Sequence, residues 1–190
     1  MEELNQASFA DLVACMSTSG ALVVTPGRFE PPASLDIALA MVGMQMVAPR
    51  LNRVAGQMQP VELGASDVAA MLELVGLTKP GPFAPRTYEM GRYLGVFEGA
   101  RLIAMAGERL RLPGFTEVSA VCTHPDYRGR GLAKALVSAI ADGVQQRGET
   151  PILHVVATND AAIRTYESLG FAKRSDVQFT FLKRAAGAAN

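Results

Sequence analysis

The spacing of apolar residues changes abruptly between residues 115 and 147 of the chain. Residues 117–123 form a nearly continuous apolar run with β-branched members, which is typical of a buried strand. From Leu132 to Val144 the apolar residues instead recur at i, i+3, i+4 and i+7, the spacing of one buried helix face. The pattern predicts a strand, a turn that contains glycines, and an amphipathic helix.

Further elements are predicted on both sides of this unit. Apolar and alternating runs indicate strands at 60–63, 92–97, 102–112 and 152–157, and a final hairpin made of 171–174 and 177–183. Ser66 is expected to cap one helix, and Asn159 is expected to cap another that ends at Gly170.

The connections between these elements predict the sheet topology. The Pro113-Gly114 turn makes the strands on its two sides antiparallel. A helical crossover makes 152–157 parallel to 117–123. The predicted fold class is α/β (α+β), with a central mixed, mostly antiparallel sheet flanked by helices.

Prolines and glycines divide the first 57 residues into short elements. The predicted elements are a helix at 8–15, a strand at 21–25, a helix at 34–42 and a strand at 44–48. We interpret residues 1–57 as an N-terminal α/β extension, 58–184 as the main domain, and 185–190 as a tail that frays. The extension is also a candidate for a homodimer contact.

Composition excludes several classes of function. The 190 residues are 49% apolar, and 18 Lys and Arg balance 18 Asp and Glu, so a basic field for nucleic acid is absent. Two distant cysteines suggest a reducing compartment. The apolar run 35–48 is too short to span a bilayer, and Glu2 and Glu3 stand where a signal peptide would be basic. A soluble cytoplasmic protein without membrane or nucleic-acid partners is expected, and no His, Cys, Asp and Glu cluster at metal-ligand spacing predicts a metal.

The turn between the predicted strand and helix has the composition of a phosphate-binding loop. It reads Arg128-Gly129-Arg130-Gly131-Leu132-Ala133. Glycines allow positive φ and close approach of a ligand, while the helix N-terminus presents unpaired N–H groups. The alternative is a tight turn before a long helix. A P-loop would need Gly-Lys-Ser/Thr, and a dinucleotide fingerprint would need Gly or Ala in place of Lys134.

These six residues resemble the R/Q-x-x-G-x-G/A loop of the GNAT superfamily of acetyl-CoA-dependent N-acetyltransferases. The preceding residues 124–127, His-Pro-Asp-Tyr, resemble the lead-in x-Pro-x-Tyr/Phe of that family. Residues 159–171 resemble its N-x-x-A-x-x-x-Y-x-x-x-G-F segment. The resemblance is specific over 115–171 and weaker from about residue 59, and it implies the GNAT fold with a splayed pair of parallel strands.

The resemblance also implies the residues that bind acetyl-CoA. The backbone of Val121, Cys122 and Thr123 would contact the pantetheine, as would Asn159. The pyrophosphate would be held by Arg128, Gly129, Arg130, Gly131, Leu132 and Ala133. No metal is implied.

The acceptor amine would bind beside the proline-rich loop at 78–88, where Phe83, Arg86 and Tyr88 are candidate contacts. The alternative is a stiff connector whose Phe83 packs on the core. The N-terminal extension is a second candidate for shaping this pocket.

Two residues are candidates for proton transfer. Glu117 stands eleven residues before Arg128, which resembles the placement of the catalytic glutamate in the histone-acetylating branch of the family, and Tyr166 would protonate the leaving thiolate. Strand alternation places Glu117 with Ser119, Val121 and Thr123 unless a bulge intervenes, and apolar neighbours would raise its pKa. Glu108 or water are alternative bases.

Structural roles stay open for both candidates. Glu117 would then pair with Arg109 or Arg111, which are otherwise expected on a solvated face, and Tyr166 would be a core aromatic. His154 is expected to be a packed strand residue rather than a ligand.

The expected function is transfer of the acetyl group of acetyl-CoA to a primary amine of a small molecule or peptide, by direct attack assisted by a general base. A non-catalytic acyl-CoA-binding module and a transferase of longer acyl groups are the alternatives.

Overall fold

The computed structural model describes residues 6–16, 20–54 and 59–186 of the chain. Its helices are α1 (Gln6–Cys15), α2 (Val68–Thr78), α3 (Leu132–Gln146) and α4 (Asp160–Ser168). Its strands are β1 (Ala21–Thr25), β2 (Leu35–Val47), β3 (Val61–Leu63), β4 (Tyr93–Glu98), β5 (Arg101–Leu112), β6 (Phe115–Thr123), β7 (Thr150–Val156) and β8 (Ala172–Arg184). Short 3-10 helices occupy Ala65–Asp67, Thr87–Met90 and Pro125–Tyr127.

The described strands pair in the order β1-β8-β2-β7-β6-β5-β4-β3. The pairs β1/β8, β3/β4, β4/β5 and β5/β6 are antiparallel, whereas β6 and β7 are parallel because α3 connects them as a crossover. The predicted mixed, mostly antiparallel sheet with one parallel pair is confirmed.

The chain forms two compact units. The smaller unit takes the described parts of residues 1–44 and 175–190, together with 156–158. In it, β1 pairs with the second half of β8, from Ala21↔Leu182 to Thr25↔Gln178. Its core contains Phe9 on α1, which lies 5.6 Å from the ring of Phe29. The domain boundary expected after residue 57 stays a prediction, as does the homodimer.

The larger unit comprises the described parts of residues 45–155 and 159–174. α3 is amphipathic, as its periodicity predicts, but its buried face is turned slightly from the predicted one, since Ala135 and Ala139 are only half-buried. The fully buried residues are Leu136, Val137, Ile140, Ala141 and Val144. Each large aliphatic side chain buried in this way contributes about 1.5–3 kcal/mol. On α2, Met71 and Leu74 pack with Tyr93, Met105 and Cys122 of the sheet in a second apolar cluster. This packing fixes the central strands that carry the candidate site.

Two sequence-based assignments of strands are wrong. The helix at 34–42 and the strand at 44–48 are one continuous strand, β2. A long apolar run suits either a helix or a strand, and here pairing with neighbouring strands decides. The final hairpin is also one strand, β8, because Ser175 and Asp176 continue the strand instead of turning.

The predicted helix boundaries fare better. Asn159 caps α4 by accepting a hydrogen bond from Ala162 N at 3.2 Å, as expected. Gly148, with φ +78°, follows the end of α3. Ser66 does not cap α2, because a 3-10 turn precedes the helix and Gly64 N donates to the carboxylate of Asp67 at 2.9 Å.

Candidate active site

The glycine loop connects β6 to α3 and leaves space beside its backbone. Gly129 and Gly131 have φ of +77° and +76°, and a Cβ on either would meet no heavy atom within 4 Å. Gly131 is the N-cap of α3 and no side chain caps this helix end. Helix N-termini of this kind bind phosphate oxygens through backbone N–H groups and the helix dipole. The local geometry therefore suits the anion site that the sequence predicts.

One arginine of the loop is held by the residues that precede it. The guanidinium of Arg130 lies over the ring of Tyr127, 4.7 Å from its centroid, in a cation–π arrangement. The Tyr127 hydroxyl donates to the Glu98 carboxylate. Arg128 is exposed to solvent beside the loop. Both positive charges thus stand at the surface where a phosphate would bind.

β6 and β7 are paired over only part of their length. Their register runs from Phe115↔Thr150 to Glu117↔Ile152, so among the described residues no β7 partner continues the pairing along β6. Ala120, a non-glycine residue with φ +52°, lies just beyond this point. Its left-handed backbone marks a β-bulge, which bends a strand and redirects its side chains. The strand pair therefore opens where the GNAT resemblance implies that pantetheine enters.

The bulge changes which residues share a face with Glu117. Ser119 lies opposite Gly107, and Cys122 lies opposite Met105. Between these two pairs β6 has two residues where β5 has one, so β6 carries one extra residue. Ser119 and Cys122 consequently share the face of Glu117. The predicted placement of Glu117 on one face with Val121 and Thr123 is wrong. It assumed a strand without a bulge, and β6 has a bulge at Ala120.

Glu117 is a buried carboxylate held by an arginine. Its side chain is 1% exposed, and Arg109 donates two hydrogen bonds to it, from Nη2 to Oε1 at 2.7 Å and from Nε to Oε2 at 2.9 Å. Burial alone would raise the pKa of Glu117, but hydrogen bonds from His154 and Arg109, with the charge of Arg109, hold it below the ordinary value. The raised pKa predicted for Glu117 is wrong, and so is the solvated position predicted for Arg109. The pairing of Glu117 with Arg109, given above as the structural alternative, is the one observed.

His154 on β7 is the third member of this cluster. Its Nδ1 lies 2.8 Å from Glu117 Oε1, and its Nε2 lies 3.0 Å from the side-chain nitrogen of Gln45 on β2. Gln45 Oε1 accepts from Arg174 at 2.5 Å. His154 is thus a strand residue as predicted, but its ring carries a directed polar contact at each nitrogen.

The competing carboxylate, Glu108, lies on the opposite face of the sheet. Its side chain is fully buried and accepts from Arg111 at 2.8 Å and from Arg147, next to the end of α3, at 3.0 Å. Arg111 has 53% of its side chain exposed, which agrees with the solvated position predicted for it, and it also forms this ion pair. This arrangement ties α3 to the sheet and leaves Glu108 away from the cluster around Glu117.

Tyr166 projects from α4 into the protein interior. It is 8% exposed, and its ring lies 6.2 Å from that of Phe171 in an edge-to-face contact. Burial raises the pKa of Tyr166 to about 12, and the neighbouring Cys122 adds to the shift. At neutral pH the hydroxyl is therefore protonated, as an acid must be before it acts.

The candidate acceptor residues divide into two kinds. Phe83 and Tyr88 pack against the apolar cluster of α2, and the Phe83 ring meets Tyr93 edge-on at 5.8 Å. Arg86 is exposed and is paired with Glu89, its Nη2 lying 2.6 Å from a carboxylate oxygen. Phe83 and Tyr88 therefore have a packing role whatever else they contact.

Tyr93 is a buried polar residue that sequence reasoning missed. It is 1% exposed, and its hydroxyl has no hydrogen-bond partner in the described part of the chain. Burial raises the pKa of Tyr93 to about 12, with the charges of Arg109 and Glu117 acting in opposite directions.

Within the described ranges, no group of three or more His, Cys, Asp or Glu side chains has an arrangement that could hold a metal ion. No described helix has the length and apolar content needed to cross a membrane.

Comparison with known proteins places this fold in a family. Residues 93–180 match a family model described as FR47-like protein. A solved structure assigned to the GNAT family, from Novosphingobium aromaticivorans, superposes with a TM-score of 0.85 at 39% identity, covering 93% of this chain and 80% of that one. The chain belongs to the GNAT family of acetyltransferases.

Two curated relatives indicate its neighbours within the family. The N-alpha-acetyltransferase RimI of Mycobacterium tuberculosis is 33% identical over 127 residues, which are 60% of this chain and 79% of that protein. The mycothiol acetyltransferase of Corynebacterium aurimucosum is 45% identical over 60 residues, 31% of this chain. The match spans only 20% of the length of the mycothiol enzyme.

The residues that sequence reasoning missed were His154 as a partner of Glu117, Gln45 and Tyr93. A signal was present for His154, since it is the polar member of the otherwise apolar strand 152–156. Gln45 carried the same signal, as the polar member of the predicted strand 44–48, but the sequence did not show which strand it would face.

Proposed function

We propose that this protein transfers the acetyl group of acetyl-CoA to the α-amino group of a peptide or protein. The observation that carries the proposal is the glycine loop at an uncapped helix end, beside a strand pair that opens after Glu117 and Ile152. The α-amino group is chosen because the relative with the longer match is named an N-alpha-acetyltransferase. The chain spans a fifth of the mycothiol enzyme, so a small thiol-bearing amine is the weaker candidate.

Acetyl-CoA would bind along β6 and the loop. Backbone groups of Val121, Cys122 and Thr123 would pair with the amides of the pantetheine, in the place that β7 leaves open. The pyrophosphate would lie at the N-terminus of α3, where backbone N–H groups of the loop residues 128–133 and the positive end of the helix dipole are available. Asn159 accepts from Ala162 through its side-chain oxygen, and its amide nitrogen would contact the pantetheine arm.

The reaction has three steps. The substrate ammonium loses a proton, the neutral amine attacks the thioester carbon, and the carbon–sulfur bond breaks as the thiolate leaves. Tyr166 would donate its hydroxyl proton to the thiolate and recover a proton from the nitrogen that becomes the amide. Glu117 is the carboxylate that would draw the ammonium proton away, directly or through a neighbour.

Direct protonation of Glu117 is opposed by its surroundings. Both carboxylate oxygens are bound by Arg109, and a protonated Glu117 would leave that half-buried arginine without its counter-ion. Removing one partner of a buried ion pair typically costs about 3–5 kcal/mol. Glu117 is therefore better suited to act while it stays ionised.

The acceptor would approach over the loop at 78–88. Phe83 and Tyr88 would form an apolar wall against the first side chains of a peptide, and the exposed Arg86, in its pair with Glu89, would lie at the rim. An apolar wall beside a charged rim suits a peptide end, which joins a positive amine to side chains of varied polarity.

The test is release of free CoA thiol from acetyl-CoA with a panel of amines. The panel contains short peptides with a free N-terminus, the same peptides with a blocked N-terminus as matched controls, and small amines including cysteine-containing ones. We expect turnover only with free N-termini. Turnover confined to a small amine would move the substrate class, and turnover with succinyl-CoA in preference to acetyl-CoA would change the acyl donor. Binding of acetyl-CoA without turnover on any amine would favour a binding module.

A further inference from the structure

A chain of five polar side chains crosses the larger unit beneath the opening of β6 and β7. It runs from Arg109 through Glu117, His154 and Gln45 to Arg174, with successive contacts of 2.7, 2.8, 3.0 and 2.5 Å. Glu117 is 1% exposed and the side chain of His154 is 9% exposed. Arg109 and Gln45 are half-buried and Arg174 is exposed, so the buried part of the chain is the pair of Glu117 and His154. Burying such a polar pair is costly unless each group is satisfied.

The bonding directions determine where the protons lie. Gln45 accepts from Arg174 through its oxygen, so its NH₂ group faces the imidazole Nε2 and donates to it. Nδ1 must then carry the single imidazole proton and donate it to the ionised Glu117. When the ring carries one proton, this network places it on Nδ1 and leaves the lone pair on Nε2.

We propose that His154 Nε2 is the immediate acceptor of the ammonium proton, and that Glu117 is the positioning residue that orients and polarises it. This inference rests on the proposed acetyl transfer. His154 follows Ile152, the last residue of β7 paired with β6, by two positions and shares the cluster of Glu117 at the point where the strands part. Gln45 holds Nε2 in the resting protein and gives way to the amine nitrogen.

His154 and Glu117 account for the path of the ammonium proton. The ammonium N–H bond breaks and Nε2 gains the proton, which makes His154 an imidazolium next to the anionic Glu117. The bidentate contact between Glu117 and Arg109 stays intact throughout, so no buried charge loses its partner. The imidazolium returns its proton to solvent after the acetylated product leaves. The charged groups that face the imidazole from neighbouring strands are Glu117, Arg109 and, through Gln45, Arg174.

Two substitutions separate a base from a structural link. His154→Asn places an amide nitrogen near the position of Nδ1, so that the donor to Glu117 is kept while the basic nitrogen is lost. His154→Gln places its amide near Nε2 and keeps the contact with Gln45. We expect both to lower kcat about 10² to 10⁴-fold on the best peptide of the amine panel, with the acetyl-CoA shift in melting temperature retained.

Chemical rescue by imidazole distinguishes a base from a structural residue, because free imidazole can replace a missing base but not a missing structural contact. In His154→Ala, added imidazole should restore kcat at least tenfold and saturably, after subtraction of the rate without peptide. Glu117→Gln should not respond to imidazole. Glu108→Gln is the matched control, since Glu108 is as deeply buried and arginine-paired but lies on the opposite face, and it should keep near-wild-type kcat per folded molecule.

Near-wild-type kcat in His154→Asn or His154→Gln would overturn the inference and return the proton to Glu117 or water. Loss of activity in His154→Ala without rescue would also overturn it. If the wild-type protein acetylates no amine, the proposed function itself fails, and that result is distinct from any outcome in the variants.

Discussion

Replacement of Gly131 by alanine tests the proposed cofactor site, and the structure allows the loss of stability to be separated from the loss of binding. Gly131 has φ +76°, and the added methyl group would meet nothing within 4 Å. The cost to the unliganded protein is therefore the left-handed backbone alone, about 1–2 kcal/mol. For a protein of this size that lowers the melting temperature by roughly 2–8 °C.

The effect on binding should be larger and separate. A saturating ligand at a hundred times its dissociation constant stabilises by about 2.7 kcal/mol. If the methyl group occupies space needed by the pyrophosphate and weakens binding a hundredfold, the same concentration stabilises by only about 0.4 kcal/mol. The acetyl-CoA shift in Tm should then fall to within the error of a thermal melt.

The matched control is Gly148→Ala. Gly148 has nearly the same backbone angle, φ +78°, and an equally open Cβ position, but it lies beyond the far end of α3. It should lose the same intrinsic stability while keeping the full acetyl-CoA shift. Equal shifts in Gly131→Ala and Gly148→Ala, measured by differential scanning fluorimetry with and without acetyl-CoA, would refute the assignment of the loop to the cofactor.

Three further predictions follow from buried groups. Tyr166→Phe should leave the melting curve nearly unchanged and lower kcat by about 10² to 10⁴-fold in the CoA-release assay; unchanged kcat would restrict Tyr166 to packing. The pKa of Glu117 is lowered by folding, so its contribution to stability is full above its ordinary value of 4.5 and is lost as the pH falls through the folded value. Glu117→Gln should therefore destabilise by about 3–5 kcal/mol at pH 7 in urea unfolding and by progressively less as the pH is lowered below 4.5. A loss that does not change with pH would contradict the ion pair. Gly107→Ala should be strongly destabilising, because its Cβ would stand 2.3 Å from the Tyr93 ring, whereas Gly64→Ala, which meets nothing within 4 Å, should be mild in the same denaturation series.

Local chemistry was enough to predict the central part of this protein. The helix α3 follows from the repeat of its apolar residues, and its N-terminus follows from the glycines that permit a left-handed turn. Asn159 and Gly170 were predicted at the two ends of α4 for the same reason, since capping involves residues only a few positions apart. The family resemblance rests on these same short-range features, and the comparisons confirm it.

The tertiary structure alone decided the properties of the buried polar groups. Most of the segment 34–48 became one strand, Leu35–Val47, because it pairs with distant strands, which an apolar run does not reveal. The bulge at Ala120 changed the face shared by Glu117, and one residue of offset is invisible to an alternation rule. The pKa of Glu117 was predicted in the wrong direction because burial raises it while Arg109 and His154, 8 and 37 positions away, lower it by more. Such long-range pairs set the chemistry of the candidate site, whereas the shape of the cofactor loop is a property of consecutive residues.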